Sequence, residues 1–176
     1  TLVNIILGLI QPDSGEITID GNKHKALYKY KNFASYIPQD VFLFDESISS
    51  NIVLDENNKV KSNTRLSDVV RKANLEKFIS QLPFGLETKV GERGAKLSGG
   101  QIKRLAIARA LYSNPDLLIF DEATSALDLK TENTFLDEIF LLKKTKTIIF
   151  ISHNLQSLRD CDKIYKLEKG RLNRIK

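Results

Sequence analysis

The sequence has no methionine, a single cysteine and no long apolar run. One cysteine, Cys161, excludes an internal disulfide and is typical of a reducing cytoplasm. The apolar opening TLVNIILGLI (1–10) is shorter than the roughly 20 residues that cross a bilayer, and no basic region precedes it as in a secretory signal. We therefore expect neither a membrane span nor a signal peptide in these residues. The opening also enters a helical pattern without a cap or an initiator methionine, so we expect a fragment.

Length and charge are those of one soluble domain. The chain has 176 residues, of which 41% are hydrophobic and 28% charged, enough to bury a core. The net charge is +5, and the lysines form two loose clusters, within 23–31 and 143–146. Such clusters could attract nucleic acid or membrane headgroups. Because acids are interleaved with them, we interpret them as solvated surface and expect no nucleic-acid partner.

Strand and helix patterns alternate from residue 116 onwards, which predicts an α/β fold with a parallel sheet. A helix is predicted from Leu129 to Leu142, with Asp128 as its cap. KIYKLE and RLNRIK, on either side of Lys169-Gly170, predict a terminal hairpin. The remaining predicted strands are EITID (16–20), FASYIP (33–38), DLLIF (116–120) and TIIFIS (147–152).

The middle of the chain, about residues 45–112, is predicted to be helical. Leu66, Val69, Val70 and Ala73 form one apolar stripe at helical spacing, and a further helix is expected to start at Gln101. We interpret this block as an inserted helical subdomain. Residues 1–44 and 113–176 would then form the other, catalytic part.

Two adjacent carboxylates, Asp121 and Glu122, follow the apolar strand DLLIF. Open α/β sheets place ligands at the carboxyl ends of their strands. An aspartate there can hold a hydrated Mg²⁺ that is bound mainly by substrate phosphates, and the glutamate can act as a general base on water. Exposed acids are also common at strand ends, so the pair alone does not decide between these interpretations.

The stretch LSGGQ (97–101) leads directly into a helix. Free backbone N–H groups, the Ser98 hydroxyl and the positive helix end together form an anion site. Such a terminus contributes about 0.3–2 kcal/mol, too little to hold a nucleotide by itself but enough for half of a shared site. No GxxxxGK[ST] loop accompanies it, since none of the nine glycines is followed by lysine. Without other motifs, a plain capped turn would explain LSGGQ equally well.

Two further polar residues follow predicted strands. His153 comes after TIIFIS, where an imidazole could contact a γ-phosphate, although a lone histidine at a strand end is commonly structural. Gln39 follows the strand that ends at Pro38 and could reach the same edge. His24 has no such setting, and we interpret it as a surface residue.

Taken together, these segments resemble the nucleotide-binding domain of ATP-binding cassette (ABC) transporters over nearly the whole chain. LSGGQ is similar to the signature motif of the family, LLIFDE to its Walker B motif and SALD (125–128) to its D-loop. Gln39 matches the Q-loop glutamine and His153 the H-loop histidine. VGERGAKLSGGQ and IPQDVFLFDESISSNI further resemble the exporter branch. The implied fold is the P-loop NTPase type (ABC ATPase), here without its N-terminal part.

The resemblance implies a role for each matching residue. Glu122, His153 and Gln39 would be catalytic, and Gln39 and Asp121 would bind Mg²⁺. In this family TLVNIILGLI follows the Walker A lysine and serine, so the phosphate loop would lie before Thr1. The residues implied to contact ATP are Thr1, Gln39, Leu97, Ser98, Gly99, Gly100, Gln101, Asp121, Glu122, Asp128 and His153.

The resemblance also implies partners. The family works as a head-to-tail dimer, in which LSGGQ of one domain clamps ATP held by the other. A transmembrane domain, in the same or a partner chain, would place this domain at the cytoplasmic face of the inner membrane. The implied function is an ATPase that drives export, with a lipid, lipid-linked oligosaccharide or peptide as substrate. The alternatives are a soluble ABC ATPase acting on DNA or ribosomes and a non-catalytic remnant, against which the intact Glu122 and His153 argue.

Ile102, Lys103, Asn154 and Glu46 depart from the usual residues of the family. Polar residues, often including a glutamine, stand in the family at the first two of these positions, arginine at the third and glycine at the fourth. None of the four carries a group that the chemistry needs. We therefore expect them to affect the substrate subtype rather than the mechanism.

Overall fold

The structure, a computed structural model, describes residues 1–23, 33–54, 63–124 and 129–176. The predicted D-loop SALD, the predicted cap Asp128 and the predicted surface residue His24 lie outside these ranges. The strands are β1 (Thr18–Ile19), β2 (Asn22–Lys23), β3 (Ala34–Ile37), β4 (Leu117–Asp121), β5 (Thr147–Ile151), β6 (Tyr165–Glu168) and β7 (Arg171–Arg174).

The strands β3, β4 and β5 form a parallel sheet with β4 in the middle, which confirms the predicted α/β fold. Its central strand is covered on both faces, so that Leu118, Ile119 and Phe120 are fully buried. That burial explains the near-continuous apolar run of DLLIF, since a two-faced strand has no solvent side. Fully burying a side chain such as Phe120 is worth about 1.5–3 kcal/mol, and its ring stacks on Phe150 with centroids 5.7 Å apart.

Two antiparallel hairpins complete the strands. The hairpin of β6 and β7 forms around Lys169-Gly170 as predicted. The first hairpin, β1 with β2, is shorter than the predicted strand EITID, because Asp20 and Gly21 have positive φ and turn the chain back. Asn22, directly after this turn, begins β2.

Helices make up the middle of the chain and flank the sheet. The predicted apolar stripe is buried, with Leu66, Val69, Val70 and Ala73 each at most 5% exposed. In the described ranges no helix combines the length and the apolar character needed to cross a membrane. The α-helices are α1 (Leu2–Ile6), α2 (Ile48–Val53), α3 (Asn63–Lys72), α4 (Glu76–Ser80), α5 (Gly99–Tyr112) and α6 (Leu129–Leu141), with short 3₁₀ turns at Gly85–Glu87, Glu92–Gly94, Leu142–Lys144 and Leu155–Leu158.

The helix α5 connects the helical block to the sheet, since it packs against α2, α3 and β3. It begins at Gly99, two residues before the predicted start at Gln101. Glycine is a poor helix former, but the side chains of Ser98 and Gln101 cap this end reciprocally and hold the two glycines in the first turn.

Candidate functional site

The parallel sheet brings four predicted site residues to one edge. Ile37, Phe120 and Phe150 lie side by side near the carboxyl ends of β3, β4 and β5. Gln39, Asp121, Glu122 and His153 follow these three positions within three residues. The edge therefore collects an amide, two carboxylates and an imidazole, as expected where open α/β sheets bind ligands.

Glu122 and His153 are in direct contact at this edge. The Nε2 atom of His153 lies 2.7 Å from Oε1 of Glu122, and the imidazole is 92% exposed while the carboxylate side chain is 25% exposed. The φ angle of Glu122 is +48°, a left-handed conformation that costs an L-residue about 1–2 kcal/mol. The Glu122 N–H donates to the carbonyl of Ile151 at 3.0 Å, so the neighbouring strand holds this turn in place.

Asp121, the predicted Mg²⁺ ligand, accepts a hydrogen bond that sequence reasoning did not anticipate. The Tyr36 hydroxyl donates to Oδ2 of Asp121 at 2.7 Å. This hydrogen bond, then burial and the negative charge of Asp121, raise the pKa of Tyr36 to about 12. No local pattern signals this contact, because it depends on how β3 and β4 are aligned.

The signature turn, LSGGQ (97–101), is a capped helix end that still has hydrogen-bond donors available for an anion. The Ser98 Oγ accepts from the Gln101 N–H at 3.3 Å, and the Gln101 Oε1 accepts from the Ser98 N–H at 2.8 Å. Since the serine oxygen acts here as an acceptor, its own hydroxyl proton remains available for an anion. The N–H groups of the first helical turn have no acceptor within the helix, and Ser98 and Gly99 are exposed.

Gln39 is held to α5 through its backbone. The Lys103 ammonium donates to the Gln39 carbonyl, while the glutamine side chain is exposed at the edge. Lys103 is only 8% exposed, and burial lowers its pKa, an effect that Asp40 partly offsets. The sequence does contain a signal for this contact, because Lys103 interrupts an apolar stripe that Ile107 and Ala110 continue at helical spacing.

The segment after Gln39 is fixed by two polar side chains. Arg109 of α5 donates to the carbonyls of Asn51 (2.8 Å) and Phe42 (2.9 Å). The fully buried Asn51 side chain donates to the carbonyls of Phe44 (3.0 Å) and Ser47 (3.1 Å) and accepts from the Phe44 N–H at 2.9 Å. The phenyl groups of Phe42 and Phe44 are exposed and in edge contact, with centroids 5.1 Å apart.

The GERG loop packs against the same segment. Gly94 is buried with φ of +78°, and an added Cβ atom would lie 2.8 Å from Cδ1 of Leu43 and 3.5 Å from Ile102. Only glycine suits this position, for its conformation and for the space. Glu92, in contrast, is exposed, so its carboxylate is free of the core.

Two residues predicted to contact the nucleotide, Thr1 and Asp128, are not among those that the structure places at the sheet edge. Thr1 is exposed at the start of α1, where its carbonyl accepts from the Ile5 N–H at 3.0 Å. No hydrogen bond within the described ranges joins Thr1 to the sheet edge. Asp128 belongs to the segment 125–128, outside the described residues, and its role stays a prediction.

The donor set at the edge fits Mg²⁺ only as a shared site. The described part of the chain contains no group of three or more His, Cys, Asp or Glu side chains that could hold a metal ion. Mg²⁺ commonly keeps several waters and is held by one or two carboxylates together with substrate phosphates. Asp121, at the carboxyl end of the central strand, suits that type of site.

Comparison with known proteins agrees with this geometry. The ABC transporter family matches residues 1–125. Two Staphylococcus aureus proteins, each named "Putative multidrug export ATP-binding/permease protein", are 39% (strain bovine RF122 / ET3-1) and 38% (strain NCTC 8325 / PS 47) identical over 174 residues. Each match covers 98% of this chain and 30% of the relative. The chain belongs to the ABC transporter family.

A solved structure gives the same result at the level of the fold. The structure titled "Structure of a bacterial Atm1-family ABC exporter with ATP bound" matches 97% of this chain with a TM-score of 0.83 and 38% identity. The match spans 30% of that chain. The fold is therefore that of an ABC ATPase, and the chain is about a third as long as the exporters it resembles.

Proposed function

We propose that the chain is the ATP-binding and ATP-hydrolysing domain of an ABC exporter. The observation that carries this proposal is the Glu122–His153 pair at the sheet edge, 2.7 Å apart. A carboxylate beside an imidazole can accept a proton from an attacking water, while the imidazole is a donor for the terminal phosphate. Asp121 would hold Mg²⁺, which supplies charge neutralisation at the phosphates when bound. Gln39, two residues after the end of β3, would contact the same metal and water.

The capped signature turn supports a dimeric site. Ser98, Gly99 and Gly100 present a hydroxyl proton, backbone N–H groups and a positive helix end, a set that favours an anion but is too weak to hold a nucleotide. We propose that this turn closes on ATP bound by a second copy, or by a second nucleotide-binding domain, in the head-to-tail manner of the family. Leu97 and Gln101 flank that contact, and Thr1 would lie beside the phosphates bound in its own domain.

The 176 residues contain no GxxxxGK[ST] loop, whose backbone and lysine cradle the β- and γ-phosphates. We therefore expect the chain by itself to be inactive and not to bind Mg-ATP with micromolar affinity. Isothermal titration of the purified chain measures this directly. Micromolar binding would show that other residues of the chain provide the cradle.

The coupled process is proposed to be export across the inner membrane, with the domain on its cytoplasmic face. The reported relatives are named for multidrug export, which favours this over an ATPase acting on DNA or ribosomes. We therefore add drug-like compounds to the proposed substrate classes, which were lipids, lipid-linked oligosaccharides and peptides. The helical block of residues 45–112 would carry the contact with a transmembrane domain, and the catalytic part would comprise residues 1–44 and 113–176.

The test uses the whole gene product in liposomes. We expect ATPase activity that a transported compound stimulates, and we expect Glu92→Ala to leave basal hydrolysis unchanged while lowering transport per ATP. The reason is that Glu92 is an exposed anion with no phosphate to bind, so its proposed contact is with the membrane domain. Lys89→Ala, another change in the same loop region, serves as the matched control. Hydrolysis that responds to DNA or ribosomes and to no transported compound would contradict the export proposal.

A further inference from the structure

We propose that Tyr36 is a positioning residue of the Mg²⁺ site, holding one carboxylate oxygen of Asp121 so that the other is presented to the metal. This inference rests on the proposed function. It concerns a contact between residues 85 positions apart in the chain, which neither the motif nor the family resemblance assigns.

The geometry of the contact is set by the sheet. Tyr36 lies beside Ile119 in the pairing of β3 with β4. Asp121 is two residues further along β4, and residues two apart in a strand project from the same face. Because both residues belong to paired strands, their backbones are fixed. The Tyr36 side chain has only to reach diagonally across one strand spacing, a distance within the reach of a long aromatic side chain.

The hydrogen bond restrains the remaining freedom of Asp121. The backbone of Asp121 pairs with Ile151, so the carboxylate can still rotate about its side-chain bonds. The 2.7 Å bond from the Tyr36 hydroxyl engages Oδ2. Within the described residues, Tyr36 is the side chain that hydrogen-bonds to this carboxylate, which leaves Oδ1 for the metal.

Tyrosine is chemically suited to this position. A lysine or arginine would bring a positive charge that opposes a bound cation, whereas a phenol donates a hydrogen bond and brings no charge. Partners that orient a metal ligand in this way are typically worth a factor of about 10–100 in metal affinity.

The alternative is a hydrogen bond that only stabilises the sheet edge. Tyr36 is 40% exposed, so a bond at this surface contributes little to the stability of the fold. The two roles differ in what they change. A positioning role changes metal affinity at constant ATP affinity, whereas a purely structural role changes neither.

The experiment compares the wild-type whole gene product with Tyr36→Phe, which removes only the hydroxyl. Electron paramagnetic resonance with Mn²⁺ in place of Mg²⁺ reports the metal directly, and fluorescent ATP binding in EDTA reports the nucleotide without metal. We expect Tyr36→Phe to weaken Mn²⁺ binding in the nucleotide complex by about 10–100-fold. Metal-free ATP affinity should stay at the wild-type value.

Tyr112→Phe is the matched control, because the Tyr112 hydroxyl is buried without a hydrogen-bond partner in the described part of the chain. This control should leave Mn²⁺ affinity unchanged. Unchanged Mn²⁺ affinity in Tyr36→Phe would overturn the proposal, as would an equal loss of metal-free ATP binding. A wild-type protein that binds neither ATP nor Mn²⁺ with ATP would instead overturn the proposed function, and this proposal with it.

Discussion

His153 and Glu122 are in contact across the ends of two neighbouring strands, with Nε2 2.7 Å from Oε1. The imidazole is almost wholly exposed, so the position of the pair is set from the glutamate side. Glu122 has a left-handed backbone conformation, and its N–H donates a hydrogen bond to the carbonyl of Ile151. Any water that the carboxylate activates therefore lies within reach of the imidazole as well.

Glu122→Gln in the whole gene product tests the role of the carboxylate. The amide keeps the shape of the side chain but loses its basicity. We expect turnover to fall by about 10²–10⁴-fold, the usual contribution of a general base, while ATP binding persists. Steady-state hydrolysis and equilibrium ATP binding measure the two effects. Near-normal turnover would show that another group is the base.

The positive φ of Glu122 predicts a stability effect that is separate from catalysis. Glu122→Gly and Glu122→Ala both remove the carboxylate, but only alanine keeps the Cβ atom that is strained at φ of +48°. We expect the glycine variant to have a free energy of unfolding about 1–2 kcal/mol above that of the alanine variant, although both lose turnover. This corresponds to a difference of about 2–8 °C in the thermal midpoint. Equal midpoints would show that the strain is relieved elsewhere.

Ser98→Arg in the whole gene product tests the head-to-tail site. A bulky cation at the start of α5 would block the proposed approach of the second domain's nucleotide. We expect hydrolysis to be abolished while ATP affinity of the separated monomer stays near the wild-type value. Ser80→Arg introduces the same charge at an exposed serine of α4 and should leave hydrolysis intact. Loss of monomer ATP binding in Ser98→Arg would mean that LSGGQ serves its own domain.

Lys103 predicts a pH dependence of stability. Burial lowers its pKa below 10.5 in the folded protein, so between the folded value and 10.5 the unfolded chain binds more protons. Stability from this group therefore rises with pH across that window. The neutral amine can still donate to the Gln39 carbonyl.

The comparison with Lys103→Met, which cannot titrate, isolates this contribution. The thermal midpoint of the wild type relative to Lys103→Met should increase as pH approaches 10.5. Lys144→Met, at an exposed position, controls for the loss of a surface lysine. A pH-independent difference between the wild type and Lys103→Met would contradict the desolvation of the ammonium.

The strands, the α3 stripe and the terminal hairpin could be predicted from sequence because their signals are local. Alternation, apolar spacing at 3.6 residues and turn residues such as Lys169-Gly170 each act within a few positions. Where two local signals conflict, as at the start of α5, the predicted helix boundary was wrong by two residues. Gly99 and Gly100 have poor helix propensity, but the capping box formed by Ser98 and Gln101 stabilises them in the first turn of the helix.

Sequence predicted those contacts of the site that follow from the order of parallel strands in the sheet. The parallel arrangement implies that residues after β4 and β5 meet, and Glu122 and His153 do. The contacts of Tyr36 with Asp121 and of Lys103 with Gln39 join residues 85 and 64 positions apart. They depend on strand register and on how α5 packs. The Tyr36 contact has no local signal, whereas the Lys103 contact is signalled only by a lysine within the apolar stripe of α5. The catalytic roles and the division at residues 45–112 stay predictions.

The loop between Gln39 and α2 is held in shape by hydrogen bonds to its backbone groups rather than to its side chains. Asn51 and Arg109 contact the carbonyls of Phe42, Phe44 and Ser47 and one amide N–H, and these groups are the same whatever side chain each position carries. The exposed rings of Phe42 and Phe44 can therefore be exchanged for other residues without reshaping the loop.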